Sequence, residues 1–492
     1  MSSLKKLASQ TAIYGLSSIV GRLIGYLFIP LYTRVFDTAQ YGIVTEMYAY
    51  VAFLVVLLTY GMETTFFRFS NRDDADPNKV FGTAAVSLII SSFLFIFICS
   101  WFAQPIAEWL RYPNHSEYIS WFALIVGLDA ISSIPLAKLR RDNQPVKFAV
   151  VNLVNILIYV ILNLFFIVYC KNTYEEGGNW ITDLVYNPNI GVGYIFISNL
   201  IASIIKFALL SIEFKGIEWK LDKDLWLKML KYGSPMMIVG FMGIINETFD
   251  RSIFKYLMIP ILGEEKAMSE LGIYGACYKV AIIMNLVVQA FRYAAEPFFF
   301  GKVSSEEEKK KNLALVFKML SVLLSFIFLG VMLYIDWVLV FVGENFRVGV
   351  EVVPILLLAN LFLGLLFNVS MWYKLTNKTS LGSLISLVGA IITISLNFIL
   401  IPIMSYVGAA WATLVCYFVM LILSLIWGHK YYPVKYPIKK STLYIVSALL
   451  LYFISLAVLP ENGTMKYVYN LIFLAAFAGL VYGLERRKKV LS

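Results

Sequence analysis

Charge is scarce in this chain. Only 15% of its 492 residues are Asp, Glu, Lys or Arg, while 60% are hydrophobic. Soluble domains carry about a quarter charged residues and are nearer half apolar. Water could not drive the burial of so much apolar surface in a chain of this length, so the composition implies lipid as the solvent. No stretch of soluble composition is long enough to form a separate domain. Cysteine and histidine are scarcer still. Cys99, Cys170, Cys277 and Cys416 are far apart and sit in or beside apolar runs. They form no CxxC pair and no disulfide framework, and read as small buried residues. His115 and His429 are the whole histidine complement, which leaves no histidine-based metal site. No phosphate-binding GxxxxGK[ST] sequence is present, so this chain does not hydrolyse ATP. No Ser–His–Asp or Cys–His set is visible. The expectation is a protein that is not an enzyme and needs no cofactor. The acidic run Arg72-Asp73-Asp74-Ala75-Asp76 resembles half of a metal–diphosphate cluster, but it lacks a second acidic motif and reads as a solvated loop.

What is abundant is apolar sequence in membrane-length runs. About 20 residues cross the hydrocarbon core of a bilayer. Such runs occupy 8–32, 41–68, 79–101, 117–137, 147–170, 190–213, 232–258, 271–300, 313–335, 352–373, 380–404, 407–428, 441–459 and 466–485. The expected fold class is therefore all-α and polytopic, with about 14 transmembrane helices. The first run is too long for the apolar part of a cleaved signal and reads as the first span.

The net charge of +10 lies in short loops between spans, not on a basic face. This argues for no nucleic-acid partner. With the N-terminus inside, 27 Lys and Arg fall in the inner segments. Six fall outside: Arg34, Arg111, Lys171, Lys266, Arg347 and Lys466. Basic residues accumulate on the cytoplasmic side, so both termini are expected there. Trp101, Trp109 and Trp337 near outer ends, and Trp372 and Trp427 near inner ends, fit the interfacial preference of tryptophan. The segment 217–231 alternates Trp219, Trp226 and Met229 with lysines and reads either as a helix lying on the inner surface or as an ordinary basic loop.

The chain also repeats. At a shift of about 230 residues, Tyr41-Gly42-Ile43 aligns with Leu271-Gly272-Ile273, Tyr48 with Tyr278, and Phe69 with Phe299. At nearly the same shift, Asn143 aligns with Asn377 and Leu162-Asn163 with Leu396-Asn397. Six spans separate the equivalents. The halves therefore share one orientation, which is the parallel-repeat design of a transporter with its site between the halves. The expected organisation is an N-terminal lobe at 1–213, a cytoplasmic linker at 214–231, a C-terminal lobe at 232–428, and two extra spans with a basic tail at 429–492.

Intramembrane charge is costly and marks function or internal pairing. Arg22, Glu46, Glu63, Asp129 and Lys206 fall in first-half spans. Glu247, Asp250 and Arg251 share one face of the seventh span, being three and four residues apart. Lys279, Arg292 and Glu296 lie in the eighth. Arg22 shifted by the repeat lands beside Arg251. Guanidinium groups in a dehydrated cavity bind phosphate in a bidentate way. Arg22, Arg251, Lys279 and Arg292 are therefore candidate ligands for an anionic head group. The competing reading pairs Arg251 with Glu247 and Arg292 with Glu296 inside their own helices. Lys206, Arg68 and Lys255 have stems long enough to reach an interface instead.

The opening Lys5-Lys6-Leu7-Ala8, then Gly15, Gly21-Arg22, Pro30-Leu31-Tyr32-Thr33-Arg34 and Tyr41-Gly42 resembles the polysaccharide transporter family of bacterial flippases. These are the Wzx-type O-antigen members of the multidrug/oligosaccharidyl-lipid/polysaccharide exporter superfamily. The resemblance implies two six-helix lobes, a cavity between them and alternating access. It implies an undecaprenyl-pyrophosphate-linked oligosaccharide as substrate, the bacterial inner membrane as location, and polysaccharide polymerase machinery as a further partner besides membrane lipids. It implies cationic cavity residues, for which Arg22, Arg251, Lys279 and Arg292 stand by position. Ion coupling is a family trait, and Glu46, Asp129, Glu247 and Asp250 are the candidate sites for Na+ or H+. A lipid II flippase, a multidrug antiporter of the same superfamily and a membrane glycosyltransferase are the alternatives.

Overall fold

The computed structural model describes residues 20–21, 23–72, 76–300, 305–458 and 464–486, with side chains described except at 290–300 and 464. The described residues form helices in the order α1 (Leu23–Val35), α2 (Thr38–Thr59), α3 (Met62–Ser70), α4 (Pro77–Trp101), α5 (Ala103–Trp109), α6 (Ser116–Arg141) and α7 (Pro145–Asn163). A π-helical turn at Leu164–Cys170 follows, then α8 (Lys171–Glu175), α9 (Trp180–Val185) and α10 (Gly193–Leu210). The remaining helices are α11 (Lys223–Leu262), α12 (Glu264–Phe300), α13 (Glu306–Leu333), α14 (Ile335–Leu339), α15 (Val352–Val369), α16 (Met371–Leu375), α17 (Thr379–Tyr431), α18 (Ile438–Val458) and α19 (Thr464–Arg486).

Among the described residues, 11 helices are long and apolar enough to cross a membrane. One of these, α17, runs for 53 residues and is two spans joined at Ser405, whose backbone is non-helical (φ 52°, ψ −138°). The shorter apolar α1 and the 40-residue α11, which carries Asp250, Arg251 and Lys255, fall where the first and seventh spans were expected.

Local chemistry sets the helix ends. Pro77 opens α4 behind Asp76, whose carboxylate accepts from the backbone N–H groups of Asn78 and Lys79. This satisfies donors that have no partner within the helix. Ser305 caps α13 ahead of Glu306, Glu307 and Glu308, which suit the positive end of the helix dipole. At the end of α6, Asn143 is left-handed (φ 53°) and Gln144 N–H bonds back to Leu139 O at 2.9 Å. Its repeat equivalent Asn377 is also left-handed (φ 55°), and Lys378 N–H bonds to Tyr373 O at 2.8 Å. Both turns are the same Schellman closure, built on the non-glycine residue most tolerant of that conformation. The second repeat pair agrees. Asn163 and Asn397 are both fully buried, and each amide donates to the carbonyl four residues back at 2.7 Å.

Packing divides the chain into two units. One comprises Met1–Gly25 with Ile43–Thr248, the other Tyr26–Gly42 with Phe249–Ser492. The division differs from the lobes expected at 1–213 and 232–428 in two ways. The linker and the first part of α11 pack with the first unit, and residues 26–42 pack with the second.

In the first unit, the segment 217–231 forms neither a separate surface helix nor a loop throughout. Residues 217–222 are non-helical, and α11 runs unbroken from Lys223. Its apolar face meets protein. Met229 is fully buried in a core with Phe66, Phe81 and Leu88. Trp226 donates through Nε1 to Ser87 Oγ at 2.7 Å. Lys79 pairs with Asp222 at 2.6 Å, and this hydrogen bond holds the Asp222 carboxyl below its ordinary value.

In the second unit, the start of α2 crosses α12. Thr38 Oγ1 and Ser269 Oγ lie 2.6 Å apart. A Cβ on Gly42 would collide with the Met268 carbonyl, and one on Gly272 with the Thr38 carbonyl. Only glycine permits backbones this close. Gly343 meets the Thr33 carbonyl in the same way, and its N–H donates to Thr33 Oγ1 at 2.8 Å. The last helix is tied down through Glu485. Its carboxylate accepts from Lys318, from Lys440 Nζ at 3.0 Å and from Tyr444 OH at 2.8 Å.

Candidate functional site

The second unit gathers three cations on α11 and α12. Arg251 and Lys255 are one turn apart on α11, and Lys279 lies on α12. Asp250 organises the first of these. It is almost fully buried, and its Oδ1 accepts from the Arg251 backbone N–H at 2.8 Å and from Arg251 Nε at 3.3 Å. Its Oδ2 accepts from Tyr274 OH on α12 at 2.5 Å. The Arg251 guanidinium lies 4.1 Å above the centre of the Tyr278 ring. One carboxylate and one aromatic face thus orient a largely buried cation, and burial strengthens both interactions.

Lys279 stands 5.4 Å over the Tyr41 ring, and that ring meets Phe346 edge-on at 5.6 Å. Lys255 is fully buried. It does not snorkel, as the stem length had suggested. Its spacing from Arg251 puts the two on one face of α11. The tyrosines at 41, 274 and 278 carry no signal in the sequence, because their role depends on which helix faces which.

The first unit holds two carboxylates in polar networks between helices, Glu46 buried and Asp129 partly exposed. Glu46 on α2 is wholly buried and accepts from Tyr50 OH at 2.6 Å and from Tyr112 OH. Asp129 on α6 pairs with Lys206 Nζ on α10 at 2.6 Å and accepts from Ser203 Oγ at 3.0 Å. Lys206 is therefore spent inside the protein and does not reach an interface. Nearby, Asn199 donates to Tyr48 OH at 3.0 Å, adding a polar link between α10 and α2.

The expected site residues thus fall as follows. Arg251, Asp250 and Lys279 are in the second unit, with Asp250 and Arg251 in direct contact. Glu46 and Asp129 lie in separate networks of the first unit. Glu247 is exposed, one turn before Arg251 on α11. Arg22 lies outside the described residues. Arg292 is in the helical backbone of α12, but its side chain lies outside them, as does that of Glu296.

A search of curated protein sequences finds no match. Among solved structures, the chain is similar to one titled "Lipid II flippase MurJ, inward closed conformation", at 12% identity and a TM-score of 0.72 over 95% of this chain and 98% of that one. It is also similar to the MATE multidrug transporter DinF-BH, at 16% identity and a TM-score of 0.65 over 88% and 97%. A third is an inward-facing multidrug resistance MATE family transporter of the MOP superfamily, at 11% identity and a TM-score of 0.62 over 83% and 94%. At these identities the likeness is one of fold. The family model described as "Polysaccharide biosynthesis protein" matches residues 7–303, more than half of the chain. This many-spanning helical membrane protein therefore belongs to the polysaccharide biosynthesis protein family.

Proposed function

We propose that the chain is a flippase that carries an undecaprenyl-pyrophosphate-linked oligosaccharide from the cytoplasmic to the outer leaflet of a bacterial inner membrane. Both termini would be cytoplasmic, as the distribution of basic loops requires. The observation that carries the reading is the Arg251 guanidinium, held in the membrane by Asp250 and Tyr278, with Lys255 and Lys279 on the same two helices. A diphosphate is the membrane-lipid group that most needs such partners, because guanidinium matches its oxygens in pairs. Asp250 keeps the guanidinium oriented until a diphosphate competes for it. Arg22 and Arg292 are proposed as further ligands of the same head group on sequence position.

Transport without ATP would be driven by an ion gradient or the membrane potential. Glu46, Asp129, Glu247 and Asp250 are the proposed sites for Na+ or H+. Asp129 and Asp250 rank last, since the Lys206 ammonium and the Arg251 guanidinium already occupy their carboxylates. The fold likeness supports a lipid II flippase equally well. The test is flipping in vesicles by the purified chain, with polyprenyl-diphosphate oligosaccharide and lipid II offered separately and in competition. Movement of the oligosaccharide lipid with loss on Arg251→Ala supports the proposal. Movement of lipid II alone transfers it to the alternative. Export of a cationic dye with neither lipid moved would make the chain a drug transporter.

A further inference from the structure

The geometry points to a membrane-surface anchor in the first unit, formed by α9. This six-residue helix, Trp180–Val185, follows the left-handed Gly177 and Gly178 in the connection after α7. It turns Thr182 inward, fully buried, and presents Trp180 and Leu184 outward. These two are four residues apart and therefore lie on one face. They are 76% and 77% exposed, the two most exposed large apolar side chains among the described residues.

Three observations assign the boundary of the bilayer as what covers them. The first is continuity. Leu157, Ile161 and Leu164 form an exposed apolar stripe up α7 into the π-helical turn, which is lipid-facing surface on a spanning helix. That stripe ends at Tyr169. The Tyr169 hydroxyl accepts from Asn179 Nδ2 at 3.1 Å, and Asn179 is the cap of α9. The anchor thus begins where the lipid-facing stripe stops. The second is rigidity. Asn179 and Thr182 form a reciprocal capping box, so α9 holds its apolar face in a set direction. The third is position. Starting from the Trp101 end of α4, the chain crosses by α6 and returns by α7, which brings α9 to the same end. There Trp101 and Trp109 are likewise more than 70% exposed. Three such indoles at one end form the aromatic girdle that membrane proteins place at the level of the lipid headgroups.

The partner is the hydrocarbon–headgroup boundary, engaged by apolar contact without charge attraction. Glu175, Glu176 and Asp183 are exposed around the anchor, so an anionic lipid surface is not favoured electrostatically. The proposal does not depend on which substrate is moved.

The test uses the full chain in phosphatidylcholine vesicles whose acyl chains carry bromine near the headgroup end. Emission from Trp180 is read as wild type minus Trp180→Phe. Brominated lipid is expected to quench that difference signal, and aqueous iodide to leave it largely intact. Leu184→Ser, which keeps every tryptophan, is expected to red-shift the same emission. Quenching by iodide with none by brominated lipid would overturn the proposal and leave α9 in water, open to a soluble partner or to sugar. Protection from both quenchers would also overturn it, and would mean that protein covers the helix.

Discussion

Gly42 and Gly272, 230 positions apart, face each other at a helix crossing where neither can accept a side chain. A Cβ on Gly272 would come 2.9 Å from the Gly42 nitrogen, and one on Gly42 would come 3.3 Å from the Gly272 nitrogen. The two are equivalents in the internal repeat. The contact lies within the second unit, to which both residues belong. It explains why residues 26–42 pack with the second unit although the repeat assigns them to the first half.

Gly272→Ala and Gly42→Ala should each force these backbones apart. Overpacking of this kind costs about 1–3 kcal/mol. The measurement is the thermal midpoint of the detergent-purified protein. An unchanged midpoint in both variants would mean that the crossing is looser than described.

Arg251→Ala should impair both stability and transport, for separable reasons. It leaves Asp250 buried without its cation, which costs about 3–5 kcal/mol when a buried pair is broken on one side. Removing both, with Asp250→Ala and Arg251→Ala together, should restore much of the stability but none of the transport. Recovery of flipping in the double variant would show that the guanidinium does not meet substrate.

Asp129→Asn and Lys206→Met should each destabilise the first unit, and the double variant should lose less than their sum. Coupling between directly interacting groups is about 0.5–3 kcal/mol. Asp129 is partly exposed, with 30% of its side chain accessible, so the lower part of that range is expected. Additive losses would mean that the ion pair contributes nothing to holding α6 against α10.

The Lys79–Asp222 pair makes a pH-dependent contribution where the linker meets α4. The folded-state pKa of Asp222 is depressed, so its contribution is fully present above the unfolded value and fades as pH falls through the folded one. Wild type should therefore melt higher than Asp222→Asn at neutral pH. The gap should begin to narrow near about pH 4, the ordinary carboxylate range, and close at lower pH once the folded-state carboxyl is also protonated. A gap that persists in acid would point to a role for Asp222 other than its charge, such as its hydrogen bond from the Leu225 N–H at 2.8 Å.

The sequence by itself determined the solvent, the all-α polytopic class and the repeat, because each is written in short-range terms. Runs of about 20 apolar residues can settle only in hydrocarbon. Asn143 and Asn377 end their helices in the same turn because that turn needs a residue tolerant of positive φ, a requirement met within a single turn of chain. Tertiary structure alone decided which intramembrane charges meet. Asp129 and Lys206 are 77 residues apart, and no periodicity links them. Their pairing exists because α6 and α10 pack side by side, and the hydroxyls of Tyr112 and Tyr274 reach Glu46 and Asp250 for the same reason. The amphipathic start of α11 illustrates the limit from the other direction. An apolar face declares that it will be buried, but lipid and protein satisfy it equally, and only the packed neighbours Phe66, Phe81 and Ser87 decided for protein.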